Sequence, residues 1–362
     1  MPLFFFREPE HHGEVNRASP WELLQQAVRG LLEPRLFFFT VAFAGFWLMF
    51  YQLFDILPNF IDDWVDSRAP AAFLAGLLGA QAVPTINGGN LTQEWIINFN
   101  ARLISLFAFT VGYVTGKIRS LTAIVVGIAL SAVAIYALGM SMSGWWILGA
   151  IGLFSIGEMT ASPTKMRYLA SIAPPGKEGL YMGYVNMTVG IGWSIGSIVA
   201  GEWYQRHGDK VELAKRYLVE KAGVPKGTVG ALQKTEVLPF FEKHLGVDAW
   251  GARQLLWDHF DPAGMWLMFT AIGVAAGIAI LGYDRLCRAA DARPDHSFNL
   301  RGHLWVRALL VPIVGALLVG CWFRPSLALG IQAGMFALLL VASFFPERRP
   351  GPAGDAPPEL AA

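Results

Sequence analysis

The sequence predicts an all-α fold, a polytopic membrane helix bundle of about eight spans, from its composition and the lengths of its apolar stretches. Hydrophobic residues make up 54% of the 362 residues, charged residues make up 15%, and the mean hydropathy is +0.44. A soluble domain of this size has too little interior to bury so much apolar surface. Eight stretches approach or exceed the roughly 20 residues that cross a bilayer core, and none alternates like an outer-membrane barrel strand. They are 36–58, 95–116, 121–140, 145–172, 180–203, 264–284, 304–322 and 326–345.

These stretches divide the chain into five regions. Only helices suit the apolar ones, because a spanning helix satisfies its own backbone hydrogen bonds. The last region is rich in Pro, Gly and Ala, a composition that predicts disorder. In order, the regions are a cytoplasmic N-terminal segment or linker (1–35), spans one to five (36–203), an extracytoplasmic helical insertion (204–263), spans six to eight (264–345) and a disordered cytoplasmic tail (346–362).

The connections on the predicted outer side are expected to be polar and solvated. Asp62, Asp63 and Asp66 follow the first span and favour a solvated mouth, with a cation-attracting vestibule as the alternative. The long insertion contains two helical patterns, Val211–Lys221 and Glu236–His259, with glycine and proline breakers between them. A solvated structural insertion is the favoured interpretation of this region, with a substrate-capturing lid as the alternative.

The distribution of lysine and arginine predicts the orientation. With the amino terminus inside, the inner connections carry fifteen basic residues, among them Lys165, Arg167 and Lys177. The short outer loops carry two, Arg68 and Arg324. This asymmetry is what the positive-inside rule describes. We therefore expect a multi-pass protein of the cell inner (plasma) membrane with both termini cytoplasmic.

Glu158 is the strongest functional candidate because it lies in the middle of a long apolar segment, Trp145 to Ala173. An acidic residue at the centre of a membrane helix costs roughly 2.5 to 3.5 kcal/mol, so such residues mark substrate or proton pathways by default. The alternative is a structural carboxylate whose partner is Thr160, Lys165 or a residue that has been lost. At about 1.5 Å per residue, Glu158 lies roughly 20 Å from the outer end of its helix.

Three polar residues in the second span are also candidates. Asn100 offers both a donor and acceptors for an amide group of a substrate, although it and Asn98 are equally compatible with a solvated position near the outer interface. Arg102 is expected to extend to the outer headgroups, because long basic side chains keep their charge in water.

Small residues in the fifth span predict close helix packing rather than ligand binding. Glycines at four-residue spacing let two helix backbones approach closely. The predicted packing seam consists of Gly183, Gly190, Gly192, Gly196 and Gly201.

Enzymatic chemistry has no sequence signal. Cys287 and Cys321 lie at opposite ends of predicted spans, too far apart for a disulfide, and the seven histidines show no metal-ligand spacing. No nucleophile with a base and no phosphate-binding loop is recognisable. We expect no cofactor, no metal and no nucleic-acid partner.

Several segments over about residues 36–284 resemble the carboxy-terminal six-helix half of a major facilitator superfamily transporter. Within that superfamily they look like the proton-dependent oligopeptide transporter family. Phe46–Gln52 is similar to the family's seventh helix, with Tyr51 where the family has glutamate. The spans 304–322 and 326–345 extend the chain beyond the six helices. The other matching segments are Trp95–Ala101 (eighth helix), Gly112–Arg119 (a glycine and basic loop without its aspartate) and Gly157–Pro163 (tenth helix).

The resemblance implies a secondary, proton-coupled transporter of di- and tripeptides or similar small solutes. Glu158 would meet the amino group of the substrate and Asn100 its backbone, with Trp47 and Gln52 as further substrate-binding residues. Glu158 and Asp55 would couple transport to protons, because Asp55 follows Tyr51 by one turn on the same helix face.

The resemblance also implies partners. Superfamily transporters bind substrate between two six-helix halves, so this chain would need an N-terminal half, besides the lipid bilayer, the substrate and protons. The alternative function is a non-transporting membrane subunit that binds or assembles a partner.

Overall fold

The structure, a computed structural model, describes residues 19–86, 88–291 and 302–344. The predicted disordered tail, 346–362, and residues 1–18 of the first region lie outside the described residues. In chain order the helices are α1 (Pro20–Leu31), α2 (Pro34–Phe50), α3 (Gln52–Asp55), α4 (Leu57–Trp64), α5 (Arg68–Leu78), α6 (Gln93–Gly116), α7 (Ser120–Leu138), α8 (Gly144–Ile172), α9 (Glu178–His207), α10 (Lys210–Glu220), α11 (Lys226–Ala231), α12 (Val237–Leu245), α13 (Ala249–Phe260), α14 (Met265–Asp291), α15 (Gly302–Phe323) and α16 (Leu327–Ala342).

The predicted all-α polytopic membrane bundle is confirmed. The only sheet among the described residues is a small hairpin, in which β1 (Thr85–Ile86) runs antiparallel to β2 (Asn90–Leu91). Among the described residues, five helical stretches are long and apolar enough to cross a membrane: Pro34–Asp55, Gln93–Gly116, Ser120–Leu138, Pro262–Asp291 and Leu304–Phe323. Two further predicted spans, α8 and α9, are 29 and 30 residues long and carry more polar residues, and α16 has 16 residues. The eight-span count therefore stays a prediction.

Six long helices form the bundle in the packing order α6, α8, α7, α14, α2 and α9, each contacting the next. The two ends of this series, the α6–α8 pair and the α2–α9 pair, face each other and meet where α8 contacts α9. The hairpin of α15 and α16 packs outside, with α15 against α2 and α16 against α9. This arrangement places the polar residues of α8 between the two helix pairs.

The predicted glycine seam on α9 is confirmed at two of its five positions. A Cβ atom on Gly192 would lie 2.6 Å from the Cβ of Trp47, and one on Gly196 would lie 3.2 Å from the Leu48 carbonyl oxygen. Both glycines therefore let α9 pack directly on the backbone of α2. The other three face open space, so the seam is shorter than the spacing predicts: Gly183, Gly190 and Gly201.

The predicted insertion, 204–263, is helical where its patterns predict. The first pattern forms α10, and the second divides into α12 and α13 at Gly246, whose φ of 66° lies in the left-handed region that favours glycine. The insertion packs on α4, where the Trp64 indole donates to the Gly208 carbonyl oxygen at 2.8 Å. This contact fixes the insertion to the end of the bundle at which α4 lies.

Candidate functional site

The first wall of the candidate site is the contact between α6 and α8, and Asn100 joins the two helices. Asn100 is 4% exposed, and its amide nitrogen donates to Glu158 Oε2 at 3.0 Å and to Ser155 Oγ at 3.1 Å. Ser155 in turn donates to the Ile151 carbonyl oxygen at 2.7 Å. Both hydrogens of the amide are therefore used, and the orientation of the half-buried Glu158 carboxylate is fixed.

The structural partners suggested for Glu158 from the sequence are wrong. Thr160 donates to the Ile156 carbonyl oxygen of its own helix at 2.7 Å. Lys165 points away to α9, where its amine donates to the Val185 carbonyl oxygen. A hydroxyl group four residues after a carbonyl bonds back to it in a helix, so Thr160 was not free for the carboxylate.

The second wall belongs to α3 and α9 and holds Asp55. The carboxylate of Asp55 accepts from the Ser197 hydroxyl at 2.6 Å and from the Trp193 indole at 3.3 Å. Helix α2 ends before Tyr51, whose ring stacks on Trp193 with centroids 4.8 Å apart. Tyr51, which departs from the family pattern, therefore lies beside Asp55, because both contact Trp193.

Two predicted substrate-binding residues lie behind this surface. Gln52 is fully buried, and its amide donates to the Leu48 carbonyl oxygen at 2.6 Å, where α2 gives way to α3. Trp47 is buried, and its ring centroid lies 4.5 Å from the amine of Lys165. The structure thus brings Glu158, Asn100 and Asp55 to one region and places Gln52 and Trp47 in the packing beneath it.

Lys165 is a buried residue of α8, and its assignment to an inner connection is wrong. Its side chain is 2% exposed although α8 continues for seven more residues. The amine lies 3.2 Å from the Val185 carbonyl oxygen and 3.4 Å from Thr188 Oγ1, and 5.4 Å from the ring centroid of Phe43. Sequence reasoning missed this residue because α2 and α9, distant in sequence, provide its cover.

An ion-pair network joins the turn between α6 and α7 to α14 and α8. Arg119 pairs with Asp284 at 2.6 Å, and Arg288 pairs with the same carboxylate at 2.7 Å. Arg167 donates to the Thr115 and Ile118 carbonyl oxygens. The loop that lacks the family's aspartate therefore receives a carboxylate from α14.

A large apolar cavity of about 790 Å³ lies between α5, α6 and α8. Its wall includes Trp95, Phe99 and Ser155, so the cavity extends to the serine that Asn100 contacts. Arg102 also lines it, with its guanidinium 5.0 Å from the centroid of the Trp95 ring. The cavity therefore gives the α6–α8 wall an apolar surface beside the Glu158 amide contact.

Two of the three aspartates of the predicted solvated mouth, Asp63 and Asp66, have side-chain partners. Asp66 pairs with Arg68 at 2.6 Å. The carboxylate of Asp63 accepts from the Tyr204 hydroxyl at 2.6 Å and from the Lys210 backbone at 3.3 Å. Burial raises the pKa of Asp63 above its ordinary value, and the bonds from Tyr204 and Lys210 oppose this rise. Asp63 thus ties α4 to the start of the insertion.

Two curated relatives resemble this chain, and both are named multidrug resistance protein MdtH. The relative from Photorhabdus laumondii is 20% identical over 196 residues, which are 54% of this chain and 42% of the relative. The relative from Proteus mirabilis is 22% identical over 186 residues, which are 51% of this chain and 41% of the relative. The chain thus spans less than half the length of the curated relatives it matches.

No model of a protein family and no solved structure matches the chain. Both matches are weak and cover about half of this chain. The names of these relatives do not mention peptides, so the resemblance to oligopeptide transporters seen in the sequence is not reproduced by them. Among the described residues, no group of three metal-binding side chains is present.

Proposed function

We propose that this chain forms the carboxy-terminal, Glu158-bearing part of a secondary membrane transporter for small organic solutes that carry a positively charged nitrogen. The observation that carries the proposal is the Glu158 carboxylate, oriented by the Asn100 amide at 3.0 Å and half-buried between two helix pairs. A carboxylate in a low-dielectric site attracts a cation strongly.

The chemistry of the two walls suits such a solute. Glu158 provides the negative charge, and the stacked rings of Tyr51 and Trp193 provide faces that attract a cation. Asp55, held by Ser197 and Trp193, adds a second carboxylate to the same region. An ammonium group of a di- or tripeptide meets these requirements, and so does an amphipathic organic cation.

Two observations bear on the choice between these solutes. The relatives are named multidrug resistance proteins, and the cavity between α5, α6 and α8, which reaches Ser155, is walled mainly by apolar side chains such as Phe99 and Phe107. Both favour an amphipathic cation. The peptide proposal depends on the family resemblance of Glu158 and Asn100 and on a cation that binds the substrate carboxylate. The candidates for this cation on the two walls are Arg102, which lines the cavity, and the buried Lys165.

Proton coupling follows if a proton and the solute compete for one carboxylate. When Glu158 binds a proton it loses its charge and releases the cation, so movement of one drives movement of the other. Asp55, on the second wall, would take part in the proton transfer. A second half, supplied by another chain or by a second copy of this one, would complete the cleft, and we propose an inner-membrane location with cytoplasmic termini.

The test is transport by the purified chain in liposomes with a proton gradient, using ethidium as a cationic probe and dialanine as a peptide probe. We expect proton-dependent movement of ethidium, and at least a tenfold loss in Glu158→Gln, which keeps the shape of the side chain and its bond to Asn100. The matched control is Glu94→Gln, an exposed glutamate on α6, which should transport like the wild-type chain.

The other outcomes discriminate between the alternatives. Dialanine movement without ethidium movement would select the peptide transporter. No movement of either probe, together with an unchanged set of membrane partners in Glu158→Gln, would favour the non-transporting assembly subunit.

A further inference from the structure

Lys165 is a buried lysine on the same face of α8 as Glu158. It follows Glu158 by seven positions, which is close to two helical turns and about 10 Å along the axis. Its side chain is 2% exposed. Burying a lone charge without a partner of opposite sign costs several kcal/mol, so the surroundings of this amine decide which protonation state it adopts.

The helices packed around Lys165 offer it no carboxylate among their described residues. α2 contributes two aromatic rings, and α9 contributes a backbone carbonyl and a hydroxyl group. On α8 itself, Glu158 is two turns away, Arg167 turns to the α6–α7 connection, and Tyr168 bonds to Tyr283. The amine is therefore enclosed by neutral groups.

These neutral groups accommodate both forms of the amine. The Val185 carbonyl oxygen, at 3.2 Å, accepts a hydrogen from either a neutral amine or an ammonium, and so does Thr188 Oγ1 at 3.4 Å. The ring of Trp47, 4.5 Å away, attracts the charged form and offsets part of its desolvation cost. A group that must gain and lose a proton in each cycle needs such surroundings.

We propose that Lys165 is a second proton-binding residue of the transport pathway, neutral in this arrangement and protonated when α8 and α9 separate. The inference rests on the proposed function. The incoming proton binds the lone pair of Nζ to form an ammonium, and the same proton leaves when the contact with α9 closes again. Pro163, two residues earlier, removes one backbone hydrogen bond from the interior of α8 and permits bending there.

The first test is a pH titration of the ring beside the amine. The full chain is labelled with 5-fluorotryptophan, and the ¹⁹F resonance of Trp47 is assigned from Trp47→Phe. We expect this resonance to shift between about pH 5 and 9, a range in which an exposed lysine keeps its charge. The shift should be lost in Lys165→Met and in Lys165→Arg, because arginine does not release its proton in a protein.

Controls locate the titrating group. Lys117→Met removes an exposed lysine whose amine lies 4.1 Å from the Tyr113 ring centroid, and the Trp47 shift should remain. Glu158→Gln should also retain it. No shift in the wild-type chain, or a shift that disappears in Glu158→Gln, would overturn the proposal even if both Lys165 variants failed to fold.

The second test separates this inference from the proposed function. If the chain moves ethidium, Lys165→Met should slow proton-driven uptake at least tenfold, and full uptake in that variant would refute the coupling role. If the wild-type Trp47 resonance titrates but no probe is moved, the proposed function fails and Lys165 is established as a proton-binding residue without a transport role.

Discussion

The α2–α9 contact and the α6–α8 contact join neighbouring helices in opposite ways. On α9, Gly192 and Gly196 let the backbone of one helix lie against the backbone of the other. Between α6 and α8, the Asn100 amide bonds to two side chains, and an apolar cavity of about 790 Å³ lies alongside. The α2–α9 contact is close because glycine has no side chain, whereas the α6–α8 contact depends on the hydrogen bonds of the Asn100 amide.

This difference indicates where the bundle tolerates amino-acid substitution. A backbone contact has no side chain that can rotate away, so any added atom separates the helices. A polar side-chain contact beside a cavity has space around it and depends only on its donors and acceptors. The α2–α9 pair is therefore the rigid side of the site, and the α6–α8 pair is the side on which a solute has room to bind.

The largest expected effect is on the rigid side. Gly192→Ala places a Cβ 2.6 Å from the Cβ of Trp47 and 2.9 Å from the Leu48 nitrogen, and we expect a loss of about 2 kcal/mol or more in stability. Thermal unfolding in detergent measures it. Gly190→Ala is the matched control on the same helix, because its Cβ meets nothing within 4 Å, and it should stabilise slightly through better helix propensity.

If Gly192→Ala and Gly190→Ala unfolded at the same temperature, the glycine contact would not hold α9 to α2. The intermediate case, Gly196→Ala, should lie between them, because its nearest contacts are at 3.2 Å and involve a side-chain amide of Gln52 that can shift.

A smaller effect is expected at the polar contact. Asn100→Ala removes the donor to Glu158 and to Ser155, and we expect a loss of about 1 to 3 kcal/mol, since one partner is a carboxylate. Asn98→Ala, an exposed asparagine on the same helix, should change thermal stability by less than about 0.5 kcal/mol. Equal effects of the two changes would show that Asn100 does not join α6 to α8.

The smallest expected change in stability comes from Asp63, which lies outside both helix pairs and joins α4 to α10. Its pKa is raised in the folded chain, so the proton stays bound to higher pH there than in the unfolded chain. The stabilisation is complete below the ordinary pKa of an aspartate and is lost as the pH rises through the raised value.

The measurement is thermal unfolding over a pH series that begins near the ordinary pKa of an aspartate and continues upward, because the pKa of Asp63 is raised. Asp63→Asn should flatten the decline in stability over this range, whereas Asp258→Asn, on the exposed side of α13, should leave it unchanged. A wild-type stability that rises across the window through the Asp63 contact would contradict the assignment.

Much of the fold could be predicted from the sequence, because apolar length and glycine spacing are local properties. Glu158 was found because a charge inside an apolar stretch is costly wherever the helix packs. Of the five glycines of the predicted seam on α9, only Gly192 and Gly196 contact α2. Sequence spacing shows which residues share a helix face, but it does not show how far the neighbouring helix extends along that face.

Lys165 and Tyr51 show why part of the site escaped prediction. A lysine near the end of an apolar stretch suggests an interface, and only the rings of α2 and the backbone of α9 reveal that Lys165 is enclosed. Tyr51 looked like a lost carboxylate, and its position beside Trp193 and Asp55 depends on the break after α2. Both facts come from contacts between distant segments.

The Arg119–Asp284 ion pair has a consequence for the order of biosynthesis. Its two partners are 165 residues apart in the sequence, and the whole α10–α13 insertion is made between them. Until α14 has been synthesised, Arg119 lacks this carboxylate. The connection between α6 and α7 therefore gains its ion pair only when α14 joins the bundle.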